Sequence, residues 1–153
     1  MPQIEIRPGH PGDDAGPSLI AAAVAELAER YEGEQDPAVE PDTLVPPRGA
    51  FLVASVDRDP VGCGGVRVLS PGVAEIKRMY VAPEARGLGV GRALLAGLED
   101  AARGLGCAAL RLETGLRQPE AIALYEDAGY RQIPRYGYWA DSPLTVCFEK
   151  PLR

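Results

Sequence analysis

The sequence feature that most constrains this chain is a glycine-rich turn between a strand-like segment and a helix-like segment. The turn reads Arg86-Gly87-Leu88-Gly89-Val90-Gly91, and a helical period begins at its last residue. A helix that starts here directs unpaired N–H groups and the positive end of its dipole toward one point. The missing Cβ atoms let a phosphate approach the backbone, while Arg86 and Arg92 can add charge-assisted hydrogen bonds. The sequence therefore predicts an anion site at this turn.

Two common phosphate sites are excluded by the residues around these glycines. A Walker-type loop needs a Lys-Ser/Thr pair after its last glycine, and this chain has Arg92-Ala93 instead. A dinucleotide fingerprint needs Gly-x-Gly-x-x-Gly, but its last position would fall on Arg92 or Leu94. The anion is therefore expected to belong to another class of ligand.

The periodicity of the chain predicts an α+β fold in a single domain that covers residues 1–153. Apolar or alternating runs predict strands at 4–7, 50–56, 61–69, 74–81, 107–113, 130–133 and 144–149. Helical spacing is found at about 17–32, 91–106 and 119–128, and residues 33–48, acidic with four prolines, predict a loop. The architecture expected is a mixed, mainly antiparallel sheet of about six to seven strands with about four helices on both faces.

Two local features refine this prediction. Asp57-Arg58-Asp59-Pro60 predicts a tight turn that makes the strands beside it an antiparallel hairpin. A helix of some sixteen residues separates the strands at 74–81 and 107–113, so these two should run parallel. The adjacent charges Lys77 and Arg78 break the alternation of the first of them, which indicates a bulge or an ordinary edge position.

Composition excludes several function classes. The net charge of −6 argues against nucleic acid as a partner, because nucleic-acid-binding domains carry a basic surface. The chain starts without a basic and apolar leader, and no apolar run is long enough to cross a bilayer, so neither export nor membrane binding is expected. Three scattered cysteines and one histidine predict no metal site and no disulfide, hence a cytoplasmic protein with reduced thiols.

Two motifs together carry a family resemblance. Arg86-x-x-Gly89-x-Gly91 opens a helix after a strand, and Ala121-Ile122-Ala123-Leu124-Tyr125 is followed by the pair Gly129-Tyr130. This arrangement, within residues 50–151, resembles the GNAT superfamily of acyl-CoA N-acyltransferases. The resemblance implies that acetyl-CoA is the co-substrate and a primary amine the acceptor. The amine's identity and the length of the acyl chain are left open.

The resemblance also implies how the coenzyme is held. Its pyrophosphate would lie on the turn formed by Arg86, Gly87, Leu88, Gly89, Val90, Gly91 and Arg92. The backbone of Met79, Tyr80 and Val81 would pair with the pantetheine arm, and the neighbouring parallel strand would splay away to make room. Gln118 stands where many members carry Asn on the loop before the second helix, and it is expected to contact the same arm.

Tyr125 is the candidate general acid for the departing coenzyme A thiolate. A phenol with a reference pKa near 10 stays protonated at neutral pH and can donate to a thiolate whose reference pKa is about 8.5. The resemblance also implies direct attack by the amine. A non-catalytic acyl-CoA sensor is the alternative function, and the intact Tyr125 helix favours the enzyme.

Glu75 is the candidate base, since a lysine-like amine is almost fully protonated at neutral pH and must lose a proton before attack. Glu113 and a water relay are the other candidates, and Glu75 could equally be a solvated residue or an ion-pair partner. Three aromatic residues near the last strand, Tyr136, Tyr138 and Trp139, could line the acceptor site or cover a homodimer interface.

Overall fold

The computed structural model describes residues 2–33 and 37–152, which form one seven-stranded sheet in the order β1-β2-β3-β4-β5-β7-β6. The strands are β1 Ile4–Pro8, β2 Gly49–Val56, β3 Asp59–Ser70, β4 Val73–Val81, β5 Ala109–Gly115, β6 Arg131–Ile133 and β7 Thr145–Pro151. The helices are α1 Gly16–Arg30, α2 Val90–Gly104 and α3 Pro119–Asp127. Every pair of neighbouring strands is antiparallel except β4 and β5, which are parallel. The expected mixed sheet and its parallel pair are confirmed.

The expected number of helices was too high. The described residues contain three α-helices and two short 3₁₀ turns, Pro41–Leu44 and Pro83–Ala85, rather than about four helices. Proline lacks the N–H that a helix interior needs, so the proline-rich segment 37–48 supports only the single turn at Pro41–Leu44. Part of the acidic loop expected at 33–48 lies outside the described residues, at 34–36.

The hairpin between β2 and β3 is tighter than expected. Only Asp57 and Arg58 lie in the turn, whereas Asp59 and Pro60 already belong to β3. Both turn residues have positive φ, 49° and 73°, the backbone pattern of a two-residue turn whose twist matches that of the strands. The Asp57 carboxylate also accepts the N–H of Gln3 at 2.9 Å, which helps to hold the edge strand β1 in place.

Helices cover both faces of the sheet. Successive side chains of a strand point to opposite faces, and β2 and β3 carry apolar side chains on each of them. On one face Leu52 and Ala54 pack with Leu94 and Leu98 of α2. On the other face Phe51, Val53 and Cys63 pack with Leu19 of α1. α3 lies on the α2 side, where its Tyr125 ring contacts Phe148 of β7. No helix in the part of the chain that the structure describes is long and apolar enough to cross a membrane.

The contact between Leu98 and β3 is close enough to test the packing of the layer that carries α2. Leu98 is fully buried, and a Cβ added to Gly64 of β3 would lie 2.9 Å from its Cδ1 atom. We expect Leu98→Ala to lower the free energy of unfolding by about 2–5 kcal/mol, because it removes buried methyl groups and leaves a cavity. Urea denaturation measures the change. Val68→Ala, at a position 39% exposed, is the control and should stay within about 0.5 kcal/mol of the parent chain.

Candidate active site

The sheet opens between β4 and β5. The two strands pair at three positions, Val73 with Ala109, Ala74 with Leu110 and Glu75 with Arg111. Beyond Glu75, β4 continues to Val81 against β3 alone, while β5 continues to Gly115 against β7 alone. The splayed strands expected from the resemblance are therefore present. The side of β4 that faces β5 has no partner strand after Glu75 among the described residues.

A β-bulge bends β4 within this opening. Cys63 of β3 lies opposite Tyr80 and Gly65 lies opposite Lys77, so β4 carries one extra residue between these pairs. The backbone accommodates the extra residue at Arg78, which has a φ of 58°. The Cys63 thiol donates to the Arg78 carbonyl at 3.2 Å, and burial raises the pKa of this thiol to about 12, so it stays a donor at neutral pH. Of the readings that the sequence left open, the bulge is the one present, and the Cys63 hydrogen bond stabilises it.

The glycine-rich turn joins β4 to α2 in the predicted way. α2 begins at Val90, and Gly89 caps it in the left-handed conformation with a φ of 90°. Gly87 also has a positive φ, 82°. A Cβ added to Gly87 would meet no atom within 4 Å, and one added to Gly89 would reach only a methyl of Ile4 at 4.0 Å. The turn thus presents the first N–H groups of α2 to open space of the kind a phosphate could occupy.

Gly91 has a different reason to be glycine. It lies inside α2, and a Cβ there would stand 3.2 Å from Cδ2 of Leu124 and 3.9 Å from Cγ2 of Val81. The absent side chain lets α2 start close to both α3 and β4. Gly91 therefore sets the distance between the turn and the opening in the sheet.

The two arginines of the turn differ in their surroundings. Arg86 donates from Nε to the Val81 carbonyl at 3.0 Å and from a terminal nitrogen to Glu26 of α1 at 2.5 Å. Arg92 is exposed in the first turn of α2. Arg86 thus ties the turn to β4 and α1, and its contact with the anion stays a prediction. The same holds for Arg92.

Tyr125 lies in α3 with its hydroxyl directed at β4. The residue is 6% exposed, and its hydroxyl donates to Sδ of Met79 at 3.6 Å. Burial raises the pKa of this hydroxyl well above its usual value, so the phenol stays protonated throughout the physiological range. Met79 lies just beyond the bulge. The predicted acid and the predicted pantetheine-binding strand therefore meet at the opening.

Glu75 lies at the last paired position of β4 and is 2% exposed. Its Oε1 accepts from Nε of Arg67 at 3.2 Å and has Nζ of Lys77 at 3.6 Å, while its Oε2 accepts the Tyr136 hydroxyl at 2.7 Å. Burial and then the Glu75 charge raise the pKa of Tyr136, which keeps that hydroxyl a donor. The ion-pair alternative for Glu75 is thus present, and its role as a base stays a prediction.

Glu75 belongs to a row of alternating charges across the sheet, here called the charged row. Its members are register neighbours on β3, β4, β5 and β7: Arg67, Glu75, Arg111 and Glu149. Nε of Arg111 donates to Glu149 at 2.5 Å, and the Arg111 guanidinium lies 5.6 Å from the centre of the Tyr136 ring. The charged row therefore ties the loop before β7 to the point where β4 and β5 part.

A pocket of about 600 Å³, including its open mouth, lies on the α1 side of the opening. Leu27 of α1, Tyr31 directly after that helix and Trp139 of the loop before β7 all line it. Glu113, near the end of β5, lines the pocket with 12% of its side chain exposed and has Nζ of Lys77 3.6 Å from its Oε1. The runner-up base thus faces a pocket.

Gln118 lines the same pocket at the start of α3. Its amide donates to the Tyr31 hydroxyl at 3.2 Å, and the backbone N–H of Arg117 donates to that hydroxyl at 3.3 Å. The sequence indicated Tyr31 only as part of the apolar face of α1, so its place at the site was missed. A tyrosine at the end of an amphipathic helix gives no signal that separates a core residue from a pocket residue.

A second, smaller pocket joins this region to β4. It is lined by Glu26 and Leu27 of α1 and by the segment from Lys77 to Tyr80, which includes Met79. Leu27 borders both pockets, so the two lie side by side. Met79 therefore connects Tyr125, on the α2 side of the sheet, with the pockets on the α1 side.

The three aromatic residues before β7 have different surroundings. Tyr136 donates to Glu75 of the charged row, and Trp139 lines the larger pocket. Tyr138 is 70% exposed and stacks edge-on against Trp139. Their place at the acceptor site and the homodimer both stay predictions.

Within residues 2–33 and 37–152 no group of three or more His, Cys, Asp or Glu side chains is arranged to hold a metal ion.

Known proteins with similar sequences and structures are acetyltransferases. The chain is 39% identical over 153 residues to an IAA acetyltransferase of Azospirillum brasilense, covering 99% of this chain and all of that one. It is 32% identical over 130 residues to an aminoglycoside N(6')-acetyltransferase type 1 of Stenotrophomonas maltophilia, covering 78% and 85% of the two chains. A solved Klebsiella pneumoniae structure assigned as an acyl-CoA N-acyltransferase superposes with a TM-score of 0.82 at 36% identity, covering 99% of each chain.

The model of the acetyltransferase (GNAT) family matches residues 17–130, which include both motifs and the opening between β4 and β5. Members of this family use acetyl-CoA, and the turn and the opening fit that co-substrate. The comparisons give no support to a non-catalytic sensor. The chain belongs to the GNAT acetyltransferase family and is an acetyl-CoA-dependent N-acetyltransferase.

Proposed function

We propose that this enzyme transfers the acetyl group to a small-molecule primary amine by direct attack. Glu113 accepts a proton from the amine, and Tyr125 donates a proton to the departing thiolate. The observation that carries the proposal is the end of the β4–β5 ladder at Glu75 and Arg111. This gap would connect the two faces of the sheet. The glycine turn and Tyr125 approach it from the α2 side, and the pocket of Glu113 lies on the α1 side.

The coenzyme would be held by backbone groups along one line. The N–H groups at the start of α2 and the exposed turn Gly87-Leu88-Gly89 would bind its pyrophosphate, with Arg92 near enough to add charge. The backbone from Met79 to Val81 would bind the pantetheine arm, because β4 lacks a partner strand there. Gln118 would contribute its amide from the start of α3.

Tyr125 would protonate the departing thiolate. Its raised pKa keeps the phenol protonated, and so a hydrogen-bond donor, at neutral pH, and the Met79 contact aims the hydroxyl at the opening. Backbone N–H groups between Met79 and Val81 would stabilise the oxyanion that forms when the amine attacks the thioester carbonyl. No side chain forms a covalent intermediate in this sequence of steps.

Two carboxylates compete for the role of base. The sequence favours Glu75, whereas the geometry favours Glu113. Both oxygens of Glu75 are engaged by Arg67 and Tyr136, and the side chain is almost fully buried. Glu113 lines the pocket in which an acceptor would lie. We therefore propose that Glu113 receives the amine's proton, directly or through water, and that Glu75 positions the loop of Tyr136.

We further propose that this single-domain enzyme is cytoplasmic and homodimeric. A single domain is supported by the one sheet that all seven strands share. A cytoplasmic location is supported by Cys63, Cys107 and Cys147, which are buried and free, as thiols are in a reducing compartment. A homodimer, with no nucleic acid or membrane as partner, completes the proposal.

The turn can be tested with a pair of matched substitutions. Gly89→Val places a β-branched residue at a φ of 90°, which such residues do not adopt, so the turn must change shape. Gly104→Val makes the same change at the other end of α2, where a Cβ meets nothing within 4 Å. We expect calorimetry to show at least about a tenfold weaker affinity for coenzyme A with Gly89→Val, a loss of about 1.4 kcal/mol. Equal affinities for the two variants would contradict the proposed phosphate site.

The acid can be tested with Tyr125→Phe, which removes the hydroxyl and keeps the ring in the core. We expect kcat to fall on the order of 10²-fold, the low end for proton transfer, with little change in the KM for acetyl-CoA. The parent enzyme should show no alkaline loss of activity from this group below about pH 10, because the pKa of Tyr125 is raised. An assay of coenzyme A thiol release measures both kcat and its dependence on pH. The exposed Tyr138→Phe is the control, and an unchanged kcat in Tyr125→Phe would remove the assignment.

The base can be assigned with two isosteric variants. We expect Glu113→Gln to lower kcat/KM for the amine at least about tenfold and to flatten the acidic limb of its pH profile. Glu75→Gln should leave that limb in place while it weakens the hydrogen bond with Tyr136 and lowers stability. A lost acidic limb in Glu75→Gln alone would return the role of base to Glu75.

A further inference from the structure

We propose that the acceptor is a primary monoamine carried on an apolar body, preferably an aromatic ring, rather than a polycation. This inference rests on the proposed function, because it assigns the larger pocket to the acceptor. It concerns which amines that pocket can hold. Three features of the structure carry it: the apolar part of the lining, the single carboxylate and the pairing of the acids near the pocket.

Part of the pocket lining is apolar and aromatic. Leu27 of α1, Tyr31 directly after that helix, and Trp139 and Leu144 of the loop before β7 form this part, beside the polar residues Thr114, Gln118, Ser142 and Thr145. Tyr31 is held in place by the amide of Gln118, so its ring is a fixed surface. A flat or aliphatic group against this part of the lining would leave water for apolar surface, which is favourable in proportion to the area buried.

The charge in the pocket suits one ammonium group. Of the described residues that line it, Glu113 carries the one carboxylate, and Nζ of Lys77 already lies 3.6 Å from Oε1 of that side chain. A single added cation can share this carboxylate. A second ammonium on the same molecule would be removed from water beside Tyr31 or Trp139 with no carboxylate to meet it, and burying an unpaired charge is costly.

Several acids near the pocket are already bound to arginines of this chain. The ion pairs are Glu26 with Arg86 and Arg30, Glu120 with Arg30, and Glu32 with Arg117. Arg30 and Arg117 also donate to each other's backbone carbonyl, at 2.9 and 3.0 Å. A polycation that used these acids as counter-charges would have to break the ion pairs. An aminoglycoside carries several ammonium groups, so it fits this pocket poorly.

The test compares amines that differ in a single feature. Hexylamine and 1,6-diaminohexane differ by one terminal amino group, 2-phenylethylamine adds a ring, and kanamycin serves as a polycation. We expect kcat/KM, measured by thiol release, to be at least about tenfold higher for hexylamine than for the diamine, with 2-phenylethylamine the highest. A diamine or kanamycin that outperforms both monoamines overturns this inference and leaves the proposed function standing. Bound coenzyme A without turnover of any amine overturns both.

Variants of Trp139 test whether the preference for an aromatic amine arises in this pocket. We expect Trp139→Ala to raise the KM for 2-phenylethylamine about tenfold, while Trp139→Phe restores most of the loss and neither changes the affinity for coenzyme A. The difference between the two variants reports the aromatic surface and not the folding of the loop. Equal KM values for the parent, Trp139→Ala and Trp139→Phe overturn the assignment of this pocket to the apolar body.

Discussion

The structure depends on the place where one pair of parallel strands stops pairing. β4 and β5 are held together at Glu75 and Arg111, and each then follows a different antiparallel neighbour. A sheet that stayed paired would present only side chains to a ligand. The parted sheet presents backbone N–H and C=O groups of β4, which an amide-rich pantetheine chain can bind in the manner of a strand.

The charged row supports the pairing up to the point where the strands part. Opposite charges at neighbouring register positions on β3, β4, β5 and β7 favour the paired arrangement up to Glu75 and Arg111. Three residues beyond Glu75, the bulge at Arg78, secured by the Cys63 thiol, bends β4. Tyr136 adds the loop before β7 to the same row, so the opening and one side of the pocket share a single support.

In the proposed mechanism, the same arrangement keeps the donor and acceptor halves of the reaction on opposite faces of the sheet. Gly89 and Tyr125 belong to the α2 side, and Tyr31 and Glu113 to the α1 side, with Met79 lying between them. A donor and an acceptor that enter from opposite faces can therefore meet without displacing each other. Catalysis by such a site comes chiefly from orientation and from fixed N–H donors, because a thioester needs little covalent assistance from the protein.

The sequence by itself determined the sheet, the glycine turn and the family, because these rest on local periodicity and on glycine positions that depend on neighbouring residues alone. It offered the bulge only as one of two readings of Lys77 and Arg78, and the structure decided between them. The tertiary structure decided which carboxylate faces the pocket. Glu75 and Glu113 look alike in the sequence, whereas in the structure Glu75 accepts from Tyr136, which is distant along the chain, and Glu113 lines the larger pocket. Long-range contacts of this kind leave no periodic signal, so the fold had to be seen first.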